Sequence, residues 1–388
     1  MTKQTLSWAG IILCMLGAGA MLAGCAVSQR TATTGFRLVD PDATRQTRAL
    51  FANLKTLAPD AVLFGHQDDL AYGVNWQREA GRSDVRETVG AYPAVYGWEL
   101  GDLELGKKEN LDRVNFKDMQ GWIKDGYKRG GVVTIGWHMN NPASGGNAWD
   151  TTRAIHTILP GGVHHATYRD WLDRFAGFVG GLKTGPFAWL GAGKPVPILF
   201  RPFHEHTGGW FWWGKGHVTP EEYIALWRFT VEYLRDEKGL RNLLYVYATD
   251  VFESEAEYFH HYPGDAYVDM LGYDDYHALG RDETVGDMTR RLRMLVTWAE
   301  ARGKLAALTE TGSERIPLPT WWTQRLLKAI TDDPVSRRIS YVLVWRNANN
   351  RPDHFYAPFP DHPSAEDFKH FYAHPFVLFE DELPALYR

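Results

Sequence analysis

Eight short apolar runs recur along this chain, and each carries an ionisable side chain at its end. They are AVLFGHQ (61–67), AVYGWEL (94–100), GVVTIGWH (131–138), PVPILFRPFHE (195–205), NLLYVYATD (242–250), YVDMLGYDDY (267–276), KLAALTETG (304–312) and ISYVLVWRN (339–347). Runs of this length, rich in β-branched and aromatic residues, read as strands. Longer stretches with helical spacing lie between them. The clearest is 219–239: Thr219 is placed to cap it, Pro220 to start it, Glu222 to close a capping box and Gly239 to stop it. Segments 115–131 and 287–303 have the same character. Eight strand–helix units predict an α/β chain folded as a single (β/α)8 TIM barrel.

In such a barrel the C-terminal strand ends form one rim, and active sites sit there. His66, Glu99, His138, Glu205, Asp250, Asp274, Glu310 and Arg346 therefore converge on one cleft. Glu205 and Glu310, on the fourth and seventh runs, face each other across its mouth. Glycoside hydrolysis uses such a pair, one carboxyl as acid and the other as nucleophile when the two stand about 5–5.5 Å apart. The acid must keep its proton near neutral pH. The stretch RPFHEHTGGWFWWG (201–214) surrounds Glu205 with three tryptophans and two phenylalanines. Apolar burial disfavours the charged form and raises a carboxyl pKa. Tyr276 is a candidate donor to Glu310, Arg201 can offset charge in the cleft, and His204 can meet a substrate hydroxyl. Trp212 and Trp213 read as partly structural.

Composition narrows the partners. Aromatic residues make up 14% of 388 positions, with 16 Trp, which suits the apolar faces of sugar rings. The net charge is −5 and no basic stripe appears, so nucleic acid is not an expected partner. No HExxH-like spacing occurs. His204 and His206 can share a strand face, but no third ligand is indicated, so no metal is expected.

The N-terminus has its own pattern. Lys3, an apolar run from Ile11 to Leu22, and Leu22-Ala23-Gly24-Cys25 match a bacterial lipoprotein signal with a lipobox ending at Cys25. The expected organisation is a signal peptide over 1–25, a polar tether over 26–40 and one catalytic domain over 41–388. Cys25 becomes the acylated N-terminus and Cys14 is lost, so the mature fold has no disulfide. Ala26 is not Asp, which favours the outer membrane. The expected product is an exported lipoprotein, monomeric, touching the membrane through its lipid anchor only.

Six motifs in order resemble glycoside hydrolase family 26, the mostly bacterial β-mannanases of clan A. They are FGHQDDLAYGVNW (64–76), YGWELGDLE (96–104), TIGWHMNNP (134–142), RPFHEHTGGWFWWG, ALTETG (307–312) and YVLVWRNA (341–348). The resemblance covers nearly the whole mature chain. It implies retaining hydrolysis of β-1,4-mannosidic bonds in mannan, galactomannan or manno-oligosaccharides, without metal or organic cofactor. It implies Glu205 as acid/base and Glu310 as nucleophile, His204 as the histidine before the acid, and Tyr276 as the contact to the nucleophile. Trp210 matches the tryptophan on the leaving-group side. His138 and Trp149 match glycone-side contacts. Trp345 matches an aromatic platform, Arg346 a hydroxyl-binding arginine and Asp274 a nearby acid of open role. Two alternatives stand beside this reading. One is a xylanase or mixed-linkage glucanase on the same fold. The other is a non-catalytic glycan-binding lipoprotein, against which the presence of both glutamates argues. Endo or exo action stays open, with 140–170 as either a wall or an open edge.

Overall fold

The computed structural model describes residues 37–279 and 284–388. The expected signal peptide, Cys25 and most of the tether lie outside the described residues. Residues 37–40, the last of the expected tether, are already packed on the domain. Val39 and Asp40 are buried. The Val39 N–H donates to Asp269 Oδ1 at 2.8 Å, and Asp40 pairs with Arg241 at 3.0 Å.

Eight parallel strands close into a barrel: β1 (Val62–Gln67), β2 (Val95–Glu99), β3 (Val132–Trp137), β4 (Ile198–Pro202), β5 (Leu243–Thr249), β6 (Met270–Asp275), β7 (Leu305–Thr311) and β8 (Tyr341–Val344). Each pairs with its sequence neighbour, and β8 pairs with β1 to close the ring. A ninth short strand, β9 (Val377–Leu378), adds to the start of β1. All eight barrel strands are buried along their whole length. That is why they read as continuous apolar runs rather than alternating ones. All eight expected strands and the barrel are found.

The interior and exterior have separate cores. Leu63, Val95, Leu199, Leu244, Val246, Met270, Ala307 and Leu343 pack together with Leu50, Phe51 and Leu54 of helix α1 (Arg45–Leu57). Helix α1 thus closes the N-terminal end of the barrel and leaves the other end open for a site. The outer core packs strands against helices, among them α2 (Asp84–Val89), α3 (Phe116–Arg129), α4 (His165–Gly180), α5 (Pro220–Glu232) and α6 (Val285–Ala301). Helix α5 begins with the expected capping box of Thr219 and Glu222, then ends in a π turn over Tyr233–Glu237 before Gly239 at φ +66°.

One expected boundary moves. The fourth run was expected to be strand through Glu205, but β4 ends at Pro202. Phe203 and Glu205 have φ of +50° and +52°. Left-handed backbone at two non-glycine residues breaks strand alternation, so His204 and His206 are not related by a shared strand face. The Glu205 N–H instead donates to Ala248 O of β5 at 3.1 Å, which holds the turn against the barrel.

Candidate active site

The turn after β4 and a bulge in β7 bring the acidic side chains together. Leu308 pairs with Tyr273, but Glu310 pairs with Asp274, so β7 carries one extra residue at Thr309. Bulges re-aim side chains. Here the bulge sets Glu310 beside Asp274. One carboxylate oxygen from each of Glu205, Asp274 and Glu310 lies within 4.8 Å of the others.

Partners divide these carboxylates into distinct environments. Arg201 of β4 donates Nη1 to Asp274 Oδ2 at 2.7 Å and Nη2 to Glu310 Oε1. Tyr276 donates its hydroxyl to the other oxygen, Glu310 Oε2, at 2.9 Å. Thr309 donates to Asp274 Oδ1 at 2.6 Å. Glu310 thus has both oxygens tied and a cationic partner, which fixes the orientation of its carboxyl group. Among the described residues, Glu205 receives only the Trp210 indole N–H, at 2.8 Å. Burial, with the charges of Asp274 and Glu310 adding to it, pushes its carboxyl well above the usual range. Asp274 is also raised by burial, against the pull of Arg201. Arg201 pairs with two of the three acids, and Glu205, which has no cationic partner among the described residues, is pushed toward its protonated form by burial. A cation could also take such a spacing of oxygens; in this cluster Arg201 already supplies positive charge to two of the three acids.

The histidines lie one layer deeper. His138 Nδ1 meets Glu99 Oε2 at 2.7 Å, and its backbone N–H donates to Glu99 Oε1 at 2.7 Å. Burial pulls the imidazole pKa down, but the Glu99 charge and hydrogen bond outweigh it and hold His138 above the normal value. Its Nε2 stands 3.2 Å from His204 Nε2. Burial and the nearby Arg201 charge hold His204 well below the normal value. The two rings thus meet with His138 pushed toward its charged form and His204 pushed away from it. His204 is 1% exposed and does not line the cleft.

Sugar-sized space lies above this floor. A cleft of about 550 Å³ is lined by Glu205 and Glu310 together with His138, Trp149, Trp210, Tyr276 and Trp345. Trp149 and Trp210 are 49% and 38% exposed, which is unusual for indoles and leaves ring faces free. Trp149 also stacks on His138, with centroids 5.3 Å apart. Its loop is held by Asn141, which donates to Asp150 O and Thr152 O at 2.7 Å each. Trp212 and Trp213 are fully buried and donate to Met139 O and His204 O, so their role is packing. Arg346 stands apart from the cleft wall. It pairs with Asp112 at 2.8 Å and lies over the Tyr72 ring. His66 is buried against Asp69 and is not a cleft residue.

Several residues in and beneath the cleft escaped the sequence reading. Glu99 was seen as a strand end without a partner. Phe211 sits inside the quoted motif but among larger neighbours. Tyr356 and the loop Ser313–Glu314–Arg315 have no motif of their own. Gly312 is the one signal for Tyr356: its φ is +145°, and the Tyr356 ring fills the place where a Cβ would stand.

The comparisons with known proteins agree with this geometry. The model of glycosyl hydrolase family 26 matches residues 39–382. A mannan endo-1,4-beta-mannosidase of Bifidobacterium adolescentis is 35% identical over 356 residues, covering 86% of this chain and 34% of that protein. The chain therefore spans about a third of that relative's length; it spans 48% of a mannan endo-1,4-beta-mannosidase of Caldalkalibacillus mannanilyticus, at 29% identity over 65% of this chain. Among solved structures, a GH26 beta-mannanase from Bacteroides ovatus has a TM-score of 0.83 at 42% identity, covering 89% of this chain and 98% of that one. The catalytic domain of a Bacillus endo-beta-1,4-mannanase has a TM-score of 0.83 at 32% identity, covering 91% and 96%.

Proposed function

The chain belongs to glycosyl hydrolase family 26, and from that premise we propose that it hydrolyses β-1,4-mannosidic bonds with retention of configuration. The observation that carries the mechanism is the placement of Glu205 and Glu310 oxygens within 4.8 Å of each other. Inverting enzymes need about 6.5–9.5 Å between carboxyls to admit a water, so the short separation favours a covalent intermediate. Glu310 attacks the anomeric carbon while Glu205 gives its proton to the leaving oxygen. The glycosyl–Glu310 ester forms as the glycosidic C–O bond breaks. Glu205, now a carboxylate, takes a proton from water. That water attacks the anomeric carbon and releases Glu310. Arg201 and Tyr276 hold Glu310 in line for the first step and accept it back after the second. Trp149, Trp210 and Trp345 offer the ring faces on which sugars stack.

The relatives named as mannan endo-1,4-beta-mannosidases support mannan as the substrate. The N-terminal pattern supports an acylated Cys25 and anchoring at the outer membrane. The test is product analysis from mannohexaose and galactomannan, with Glu310→Ala as control. Mannobiose alone from the start identifies an exo-acting enzyme, and a spread of lengths an endo-acting one. If the wild type and the control behave alike, the proposal fails. Glu205→Ala is expected to lower kcat on mannan by about 10²–10⁴-fold. The loss is smaller on an aryl mannoside whose leaving group needs no proton, and an equal loss on both substrates would remove Glu205 from the acid role.

A further inference from the structure

An apolar finger stands at the end of the barrel opposite the cleft. It joins α4 to β4 and is built on a two-stranded hairpin in which Lys183 pairs with Pro195 and Thr184 with Lys194. Its tip is the 3-10 turn Ala188–Leu190. Phe187 is 62% exposed, Trp189 83% and Leu190 62%. Nine large apolar side chains are exposed among the described residues, and three of them stand on this single turn. Two others, Trp149 and Trp210, are explained by the cleft; these three are not. The turn is also held in shape. Phe187 sits at φ +63° between Gly185 and Gly191, both at positive φ, and Lys183 Nζ donates to Gly191 O at 2.7 Å. A left-handed backbone at a bulky residue is costly. Here it accompanies a turn whose Phe187 and Trp189 rings face solvent.

The base of the finger adjoins the place where the chain enters the domain. Val196, at the foot of the hairpin, accepts from Asn242 Nδ2 at 2.7 Å. The neighbouring Arg241 accepts the Thr44 N–H through its carbonyl at 2.8 Å and binds Asp40 through its side chain. The entering residues and the finger therefore share the N-terminal end of the barrel. The eleven residues between Cys25 and Arg37 can span at most roughly 36–40 Å. With Cys25 acylated, that reach would limit how far the N-terminal end of the barrel can stand from the bilayer. Aromatic and leucine side chains flanked by lysines match a lipid interface, where rings seat at headgroup depth and ammonium groups meet anionic lipid.

We propose that Phe187, Trp189 and Leu190 insert into the lipid interface of the membrane that carries the chain, so that the barrel stands with its catalytic mouth turned away from the bilayer. The inference rests on acylation at Cys25 but not on the mannan reading. Lipid is a second contact beyond the anchor, and it fixes the orientation of the barrel.

The test uses the full chain, purified with its acylated N-terminus and reconstituted in phosphatidylethanolamine–phosphatidylglycerol vesicles. Ala192→Cys on the finger and Lys108→Cys on the cleft side each carry an environment-sensitive fluorophore. The expected result is a blue-shifted emission at Ala192, quenched by lipids spin-labelled near the headgroup, and water-like emission at Lys108. Adding Trp189→Ser and Leu190→Ser should abolish the shift while hydrolysis in solution is unchanged. Equal, water-like emission at both sites overturns the proposal. So does a blue shift that lipid quenchers leave untouched and that grows with protein density, which would mean a second copy covers the tip. A chain that does not float with vesicles overturns the anchoring and this inference together, and leaves mannan hydrolysis to be judged on its own products.

Discussion

Glu205 meets two opposed demands through one neighbour. Burial and the adjacent acids hold its proton on, while the Trp210 N–H favours the carboxylate that forms once the proton has left. Trp210→Phe keeps a ring for the sugar and removes that donor. The charged form loses a stabilising bond, so the Glu205 pKa rises further. With Glu205 in the proposed acid role, activity needs its protonated form and is lost as pH rises through that pKa. The alkaline limb of kcat/KM should therefore move to higher pH in Trp210→Phe, and a limb that stays in place or moves down would show that another group sets it. The same residue scale explains why the layer below the cleft is polar. Glu99 fixes the ring orientation of His138 and favours its charged form, and His138 in turn meets His204 ring nitrogen to ring nitrogen at 3.2 Å.

At the scale of elements, the loop and helix that follow β4 hold the acid. The turn at 203–205 is strained, so its geometry depends on what is packed behind it. Tyr223, in the first turns of α5, donates its hydroxyl to Phe203 O at 3.0 Å. The helix start is itself fixed by Thr219, whose side chain accepts from Glu222 N while Glu222 reaches back to the Thr219 N–H. Thr219→Ala should cost about 1 kcal/mol. For a chain of this length that is a drop in Tm of roughly 1–2 °C, seen in thermal denaturation. The cap is remote from the sugar, so KM should not change. A larger loss of kcat than of stability would mean that the helix start tunes the acid turn directly.

For the whole molecule, closure of the barrel depends on residues far apart in sequence. Phe64 of β1 is fully buried. It stacks on Phe379 at 4.8 Å and meets Phe368, Phe371 and Trp322 edge-on at 5.4, 5.7 and 5.9 Å. The C-terminal segment therefore staples the seam where β8 joins β1. Phe64→Ala should lower the unfolding free energy by about 3–5 kcal/mol, measured by denaturant titration. If the loss stays below about 1.5 kcal/mol, the range of volume-conserving swaps, the seam is held by strand pairing alone.

Strand and helix content was legible along the chain because each element's burial leaves a local mark. Strands covered on both faces read as apolar runs, and the capping box of α5 is written in four consecutive residues. The barrel followed from eight repeats of that pattern, and the convergence of Glu205 and Glu310 followed from the barrel. Other features carry no local mark. The turn that ends β4 three residues before Glu205 violates backbone preference, and hydrogen bonds with Ala248, Trp213 and Tyr223 sustain it. The bulge at Thr309 appears only when β7 is laid beside β6. The sharing of Arg201 between Asp274 and Glu310 joins positions 73 and 109 residues away. The sequence determined which groups reach the rim. Tertiary structure decided which carboxylate receives the cation and which is left with the proton, because charge and burial act across space and leave no period in the chain.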